Sequence, residues 1–173
     1  MRWQDFDRAA PELARDARGV LTKWRFVFLG TVRRDGTPRI SPVEAHLVAG
    51  DLMLVMVGHS QKAKDVARDP RVTLQSPVVD PADPGVELKV RGRLVEVDDE
   101  SREATAAAVF EASGWRPLPS WRFVAVDLAA VALVAWEEGV MALTRWSAED
   151  GVLPTERRRL DAEASEYRRV TAE

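Results

Sequence analysis

Residues 25–58 read RFVFLGTVRRDGTPRISPVEAHLVAGDLMLVMVG, and this stretch decides the fold. It is rich in β-branched and aromatic residues and is cut by two turn signals. Asp35-Gly36 is a favoured pair for a tight hairpin turn, and Gly50-Asp51 marks a second. The spacing predicts three antiparallel strands, about Phe26–Arg33, Thr37–Val48 and Leu52–Val57. Proline donates no hydrogen bond to a strand ladder, so Pro38 and Pro42 give the middle strand an irregular start, a bulge or a free edge.

Upstream, Asp7 to Val20 reads as a helix: Pro11 suits a first turn, Leu13, Ala14, Ala17, Val20 and Leu21 share a face, and Gly19 weakens or ends it. Downstream, Ser60 caps a short helix over Gln61–Arg68, which Pro70 stops near Asp69. Arg71–Pro77 is a strand, and DPADPG at 80–85 is a loop. Val86–Val97 alternates as a strand with Gly92 at a bulge or close approach. Asp98 to Ser101 cap a helix running to about Glu111, and Gly114–Ser120 is a proline-containing connector. Trp121–Asp127, Val131–Trp136 and Val140–Trp146 read as further strands, the last after a turn at Glu138-Gly139. From Pro154 the chain is mostly polar and reads as a solvated helix or a frayed end whose arginines need no ligand. There is no regular β-α-β alternation, so the expected class is α+β, a small antiparallel β-barrel with peripheral helices. Residues 1–150 form the domain and 151–173 a polar tail.

Composition narrows the chemistry. The 173 residues fit one domain with a full core, and a net charge of −3 gives no general pull toward nucleic acid or an anionic membrane. Cysteine is absent, which excludes disulfides, zinc thiolates, iron–sulfur clusters and thiol catalysis. The longest apolar run, Leu128 to Trp136, falls far short of the roughly 20 residues of a membrane span. The charged start MRWQDFDRAAPE is no signal peptide, so the cytoplasm is expected. With only His46 and His59 present, no metal site is expected. Glu44 shares a strand face with His46, and either histidine serves as a structural group or a proton donor.

Of the 25 basic residues only four are lysines, and two of those, Lys62 and Lys64, sit in one short segment. There Gly58-His59-Ser60-Gln61-Lys62 joins a strand to a helix. A helix N-terminus offers unpaired N–H groups and partial positive charge, and Lys62 adds a full charge that the dipole opposes unless an anion compensates. The competing reading is a plain Ser60 cap with solvated lysines. Pairing of the second and third strands places Arg39 or Ser41 near this helix end as a cation or hydroxyl. Val55 and Met56 supply an apolar edge and backbone groups for a flat ring. Trp115 and Trp121, flanking the connector, stack on a ligand or pack in a core or interface.

Three segments resemble one family. Leu29 to Pro42 (LGTVRRDGTPRISP), Ser60 to Val72 (SQKAKDVARDPRV) and Lys89 to Gly92 (KVRG) are similar to motifs of the pyridoxamine 5′-phosphate oxidase-like, FMN-binding split β-barrel superfamily. The resemblance implies an antiparallel split β-barrel, a homodimer, with a flavin at the subunit interface. It implies that Ser60, Gln61 and Lys62 hold the cofactor phosphate with Arg39 as a second ligand. Ser41 and Val43 would then lie along the ribityl chain and ring, and Val55 and Met56 would form the ring's wall. Ser41 stands where the oxidase itself has arginine, and the oxidase's C-terminal arginine–histidine motif is not evident. The resemblance is therefore to the bacterial branch that uses FMN or the deazaflavin F-420. It implies an FMN-dependent oxidoreductase acting on an unidentified small molecule. The alternatives are a deazaflavin-dependent reductase or a non-enzymatic flavin- or haem-binding module. No catalytic side chain is assigned, because the cofactor carries the redox chemistry.

Overall fold

A computed structural model describes residues 1–78, 85–161 and 166–170. Its elements in chain order begin with α1 (Trp3–Ala9), α2 (Pro11–Lys23), β1 (Phe26–Val32), β2 (Pro38–Val48), β3 (Asp51–Val57) and α3 (Gln61–Arg68). They continue with β4 (Arg71–Gln75), β5 (Glu87–Glu96), α4 (Asp99–Ser113), β6 (Trp121–Glu137), β7 (Val140–Ser147), β8 (Gly151–Asp161) and β9 (Glu166–Arg169). Residues 80–84 of the expected DPADPG loop lie outside the described residues.

The strands pair in the order β3-β2-β1-β4-β5-β6, and β3 also pairs β6, which closes a six-stranded antiparallel barrel. β7, β8 and β9 extend the sheet beyond the barrel. Alternation fills the interior: Val27 and Leu29 of β1, Val72 and Leu74 of β4, and Leu88 and Val90 of β5 are all buried. β3 is buried on both faces from Leu52 to Met56, because α4 covers its outer side through Ala106 and Val109. That double burial explains why its sequence is a continuous apolar run.

The N-terminal helices add Trp3, Phe6, Leu13, Ala17 and Leu21 to the barrel core, with Phe6 packed 4.8 Å from Trp146 between ring centres. The expected single helix is two. Ala10 has φ −145° and ψ 64°, a break imposed on the residue before Pro11, which is disfavoured from helical geometry. Gly19 does not end α2, which continues to Lys23.

The second turn is centred on Ala49-Gly50, one residue before the expected pair, with φ +53° and +80°. Alanine tolerates that conformation because Arg2 and Gln4 clamp the turn: Arg2 donates to the Ala49 carbonyl at 2.8 Å and the Gln4 N–H to Gly50 at 2.9 Å. Gly92 is a required close approach, since a Cβ there would sit 2.3 Å from the Asp127 carbonyl oxygen.

Opposite Gly92, β6 carries one extra residue, Ala129, yet runs unbroken where two strands were expected. The backbone groups displaced by this bulge find partners: Leu128 N–H on the Met1 carbonyl at 2.8 Å and the Ala129 carbonyl on Ala148 N–H at 2.9 Å.

The polar C-terminal segment is also corrected. Its described residues form β8 and β9 rather than a helix or frayed end, with β8 paired along β7 and β9 along β8, while 162–165 and 171–173 lie outside the described residues.

Candidate functional site: a cleft at the start of α3

The first half of β2, residues 38–43, pairs only with β1, because β3 joins β2 from Glu44 onward. The proline pair thus marks a free edge, and α3 approaches it. Lys62, in the first turn of α3, donates from Nζ to the Pro42 carbonyl at 2.8 Å. Ser60 is the N-cap, its Oγ accepting the Ala63 N–H at 3.3 Å, and the Lys64 N–H reaches the Ser60 carbonyl. The N–H groups of Gln61 and Lys62 precede the first intrahelical bond and stay available. No acidic residue occupies this first turn, and burial pushes the Lys62 ammonium below its ordinary pKa. A cation at the positive end of a helix, part desolvated and without a carboxylate partner among the described residues, is a standing cost that an anion would relieve.

Several contacts hold α3 there. Ala63 and Val66 are buried in the barrel core. Asp65, 4% exposed, accepts from Thr31 Oγ1 at 3.0 Å and Arg39 Nε at 2.6 Å. Burial pushes this carboxyl up, but the hydrogen bonds from Arg39 and Thr31 and the Arg39 charge outweigh it and leave the pKa below its ordinary value. Arg122 of β6 donates to the Ala63 carbonyl at 2.9 Å, and Arg68 donates to the Val32 carbonyl. On the other side, Gly58 lies so close to the connector after α4 that a Cβ would come within 2.7 Å of the Ser120 carbonyl.

Between β1–β3, the start of α3 and the end of α4 lies a cleft of about 620 Å³, within the range of small-molecule sites. Four expected site residues line it: Val43, Val55, Met56 and Lys62. Val43 and Met56 are packed into the barrel core, so they present backbone to the cleft, while Val55 lies on the face under α4.

Arg39, Ser41, Ser60 and Gln61 are outside this lining. Arg39 turns its Nε to Asp65, and Ser41 pairs Leu29 in the β1–β2 ladder. The sequence reading set Glu44 beside His46 but did not pair it with Arg25, with which it forms an ion pair on the cleft wall. Facing strands bring them together, a juxtaposition that no local motif announces. Trp115 and Trp121 line the cleft with ring centres 5.1 Å apart, and their flanking of the connector was the available signal.

His46 is buried with an unpartnered Nε2, 3.8 Å from Glu44. Burial pushes its pKa down, the Glu44 charge opposes this and Arg25 adds to it, leaving it below the ordinary value. It does not line the cleft, and His59 is exposed on the turn before α3. Among the described residues no three His, Cys, Asp or Glu side chains cluster as metal ligands, and no helix is long and apolar enough to cross a membrane.

A closed six-stranded antiparallel barrel with extra strands, peripheral helices and a cofactor-sized cleft on its outer wall defines the split β-barrel class. Within that class the chain belongs to the pyridoxamine 5′-phosphate oxidase family, whose model matches residues 13–135.

The fold is similar to a pyridoxamine 5′-phosphate oxidase-related, FMN-binding protein from Nostoc punctiforme, at 16% identity over 95% of each chain and a TM-score of 0.56. A haem-binding protein from Mycobacterium smegmatis matches at 14% identity over 84% of this chain and 87% of its own, with a TM-score of 0.60. An F-420 reductase matches at 22% identity over 66% of this chain and 94% of its own, with a TM-score of 0.51. No curated protein matches the sequence.

Proposed function

We propose that the cleft binds FMN and that the protein is a cytoplasmic oxidoreductase acting on a small molecule. The observation that carries this reading is Lys62, a partly desolvated cation at a helix start with no acid in its turn, on the wall of an apolar cleft.

The residues fit the cofactor. The Gln61 and Lys62 N–H groups and the Lys62 ammonium would hold the phosphate, with Ser60 fixing the turn and Arg39 beside it. Ser41 and Val43 would follow the ribityl chain along the free edge of β2. The Val55 and Met56 wall, facing the Trp115–Trp121 pair, would receive the flat ring and keep water from it. When bound, the flavin supplies the hydride and electron transfer, and the chain supplies position and electrostatics.

FMN is favoured over the long-tailed deazaflavin by the fate of the nearby cations. Arg68 is engaged by Asp65 and the Val32 carbonyl, and Arg71 by Asp69, whose pKa its hydrogen bond and charge pull down to about 2. Of Lys64, Arg68 and Arg71, only Lys64 has no ion pair among the described residues, which leaves little positive charge for a polyanionic tail.

A second copy of the chain completes the site in this reading. Phe26, Phe28 and Ile40 are exposed by 56%, 46% and 74% on the outer face of β1–β2, and Phe26 also lines the cleft. A patch of that kind beside a ligand site marks an interface.

The deciding experiment is competitive dialysis of the protein against equimolar FMN, deazaflavin and haem. Retention of FMN, with reduction by a nicotinamide or a substrate, is the expected result. Retention of deazaflavin or haem replaces the cofactor assignment. FMN held without turnover under any donor makes the protein a carrier.

A further inference from the structure

His46 is a buried imidazole with no part in holding the flavin. Its side chain is 4% exposed, its Nε2 has no hydrogen-bond partner among the described residues, and that atom lies 3.8 Å from Oε2 of Glu44. The other oxygen of Glu44 accepts from Nε of Arg25, and both members of that pair line the cleft. Glu44 thus holds a cation of the cleft wall with one oxygen and faces an orphaned ring nitrogen with the other.

Glu44, His46 and Val48 share the outer face of β2. Opposite His46 on β3 stands Met53, and α4 brings Ala106 and Val109 over the same face. Asp51, next along that face of β3, is taken by Arg2 at 2.9 Å. The charged side chains at the start of α4 are engaged elsewhere, Arg102 on the Trp121 carbonyl and Glu103 on Arg116. Burial lowers the His46 pKa from its ordinary 6.5, with Glu44 opposing the shift and Arg25 adding to it.

At neutral pH Arg25, Glu44 and His46 together carry no net charge. A second carboxylate at Arg25 sets two anions against one guanidinium in a partly desolvated wall, which costs free energy. One proton on the imidazole restores the balance and turns Nε2 into a donor for Glu44, whose Oε2 has to move about 1 Å to reach hydrogen-bond distance. Arg25 is half-exposed and gives Glu44 its Nε, so its two terminal nitrogens remain for the incoming group.

We propose that Arg25, Glu44 and His46 form a proton-coupled subsite for a singly charged carboxylate on the molecule in the cleft. The carboxylate binds Arg25, His46 takes up one proton from solvent, and Glu44 joins the two. The inference rests on the cleft being the ligand site of the proposed function and names the class of small molecule it takes.

The probe is benzoate, followed by calorimetry with the full chain in the Lys62→Ala background, which leaves Arg25 as the cation among the described lining residues. Affinity should tighten several-fold as pH falls from about 7.5 to 5.5, a range in which benzoate stays ionised and histidine titrates. Binding heats in buffers of different ionisation enthalpy should show net proton uptake that approaches about one proton per benzoate.

Arg25→Ala should weaken benzoate about tenfold or more. Glu44→Gln leaves Arg25 uncompensated and should bind benzoate most tightly, without pH dependence. His46→Gln keeps a neutral polar side chain and should bind benzoate as the parent does at the alkaline end of the range, with no proton uptake. Where His46→Gln does not fold, His59→Gln carries the test, because His46 is then the only histidine. Saturating benzoate should raise the pH at which its ring NMR signal titrates. Absence of benzoate binding, an affinity unchanged by Arg25→Ala, a pH dependence that persists in His46→Gln or a histidine titration that benzoate does not move overturns the proposal. FMN takes no part in the titration, so failure here leaves the cofactor assignment standing, and failure to retain FMN leaves this subsite standing.

Discussion

The two flanks of α3 hold the same kind of side chain, a cation, in opposite circumstances. On the flank facing β1, Arg39 meets a buried carboxylate: Asp65 collects Arg39, Thr31 and Arg68, and the helix is fastened to the barrel. On the flank facing the cleft, Lys62 meets, among the described residues, only the Pro42 carbonyl, in a turn with no acid. The first arrangement is complete within the chain. The second has no carboxylate partner among the described residues, and the proposed phosphate role of Lys62 rests on that asymmetry.

Removing Asp65 should do the most damage. Asp65→Ala leaves Arg39 and Thr31 facing an empty position and is expected to cost about 2–4 kcal/mol of stability, read by denaturant unfolding. An unchanged midpoint would mean that packing and the Arg122 and Arg68 contacts hold α3 without the carboxylate.

Lys62→Ala should leave the unfolding midpoint nearly unchanged and weaken FMN by about 10- to 100-fold, while riboflavin, which lacks the phosphate, is little affected. Equal weakening of both flavins would place Lys62 away from the phosphate and dissolve the contrast between the flanks.

Ser60→Ala removes the N-cap and should cost about 1 kcal/mol, with a smaller loss of FMN affinity than Lys62→Ala.

The smallest effect is in pH. The Asp65 pKa is lower folded than unfolded, so its contribution to stability is fully present above the ordinary carboxylate value of 3.8 and is lost as pH falls through the lower folded value. Asp65→Asn should flatten that acid limb, and an unaltered limb would assign it to other carboxylates.

Most of the barrel was legible because its information is local. Turn signals, Ser60 before a helix, Pro70 after it and period-two alternation fix β1 to β4 and α3 to within about two residues. Asp98 starts α4 by accepting the Ser101 N–H, as its sequence announces. The C-terminal hairpin was not legible for the opposite reason. Its run of Glu156 and three arginines has no apolar alternation, and it becomes a strand because β7 offers a partner edge. β6 reads as two strands until Gly92 and Asp127 meet across the bulge at Ala129.

The candidate site divides the same way. Lys62, Val55 and Met56 follow from motif and strand order, whereas the Arg25–Glu44 pair on the cleft wall depends on two strands meeting.

By itself the sequence determined β1 to β4, α3 and α4, the hairpin order of the first three strands and the family, because each rests on residues adjacent in the chain. Only the tertiary structure decided which cation is spoken for. The resemblance makes Lys62 a phosphate ligand and Arg39 a second one, and the pairing of β1 with β2 beside α3 gives Arg39 a buried carboxylate while Lys62 lines the cleft. Charge compensation acts through space over a few ångströms, and the partners that supply it lie 26 residues apart in the Arg39–Asp65 pair.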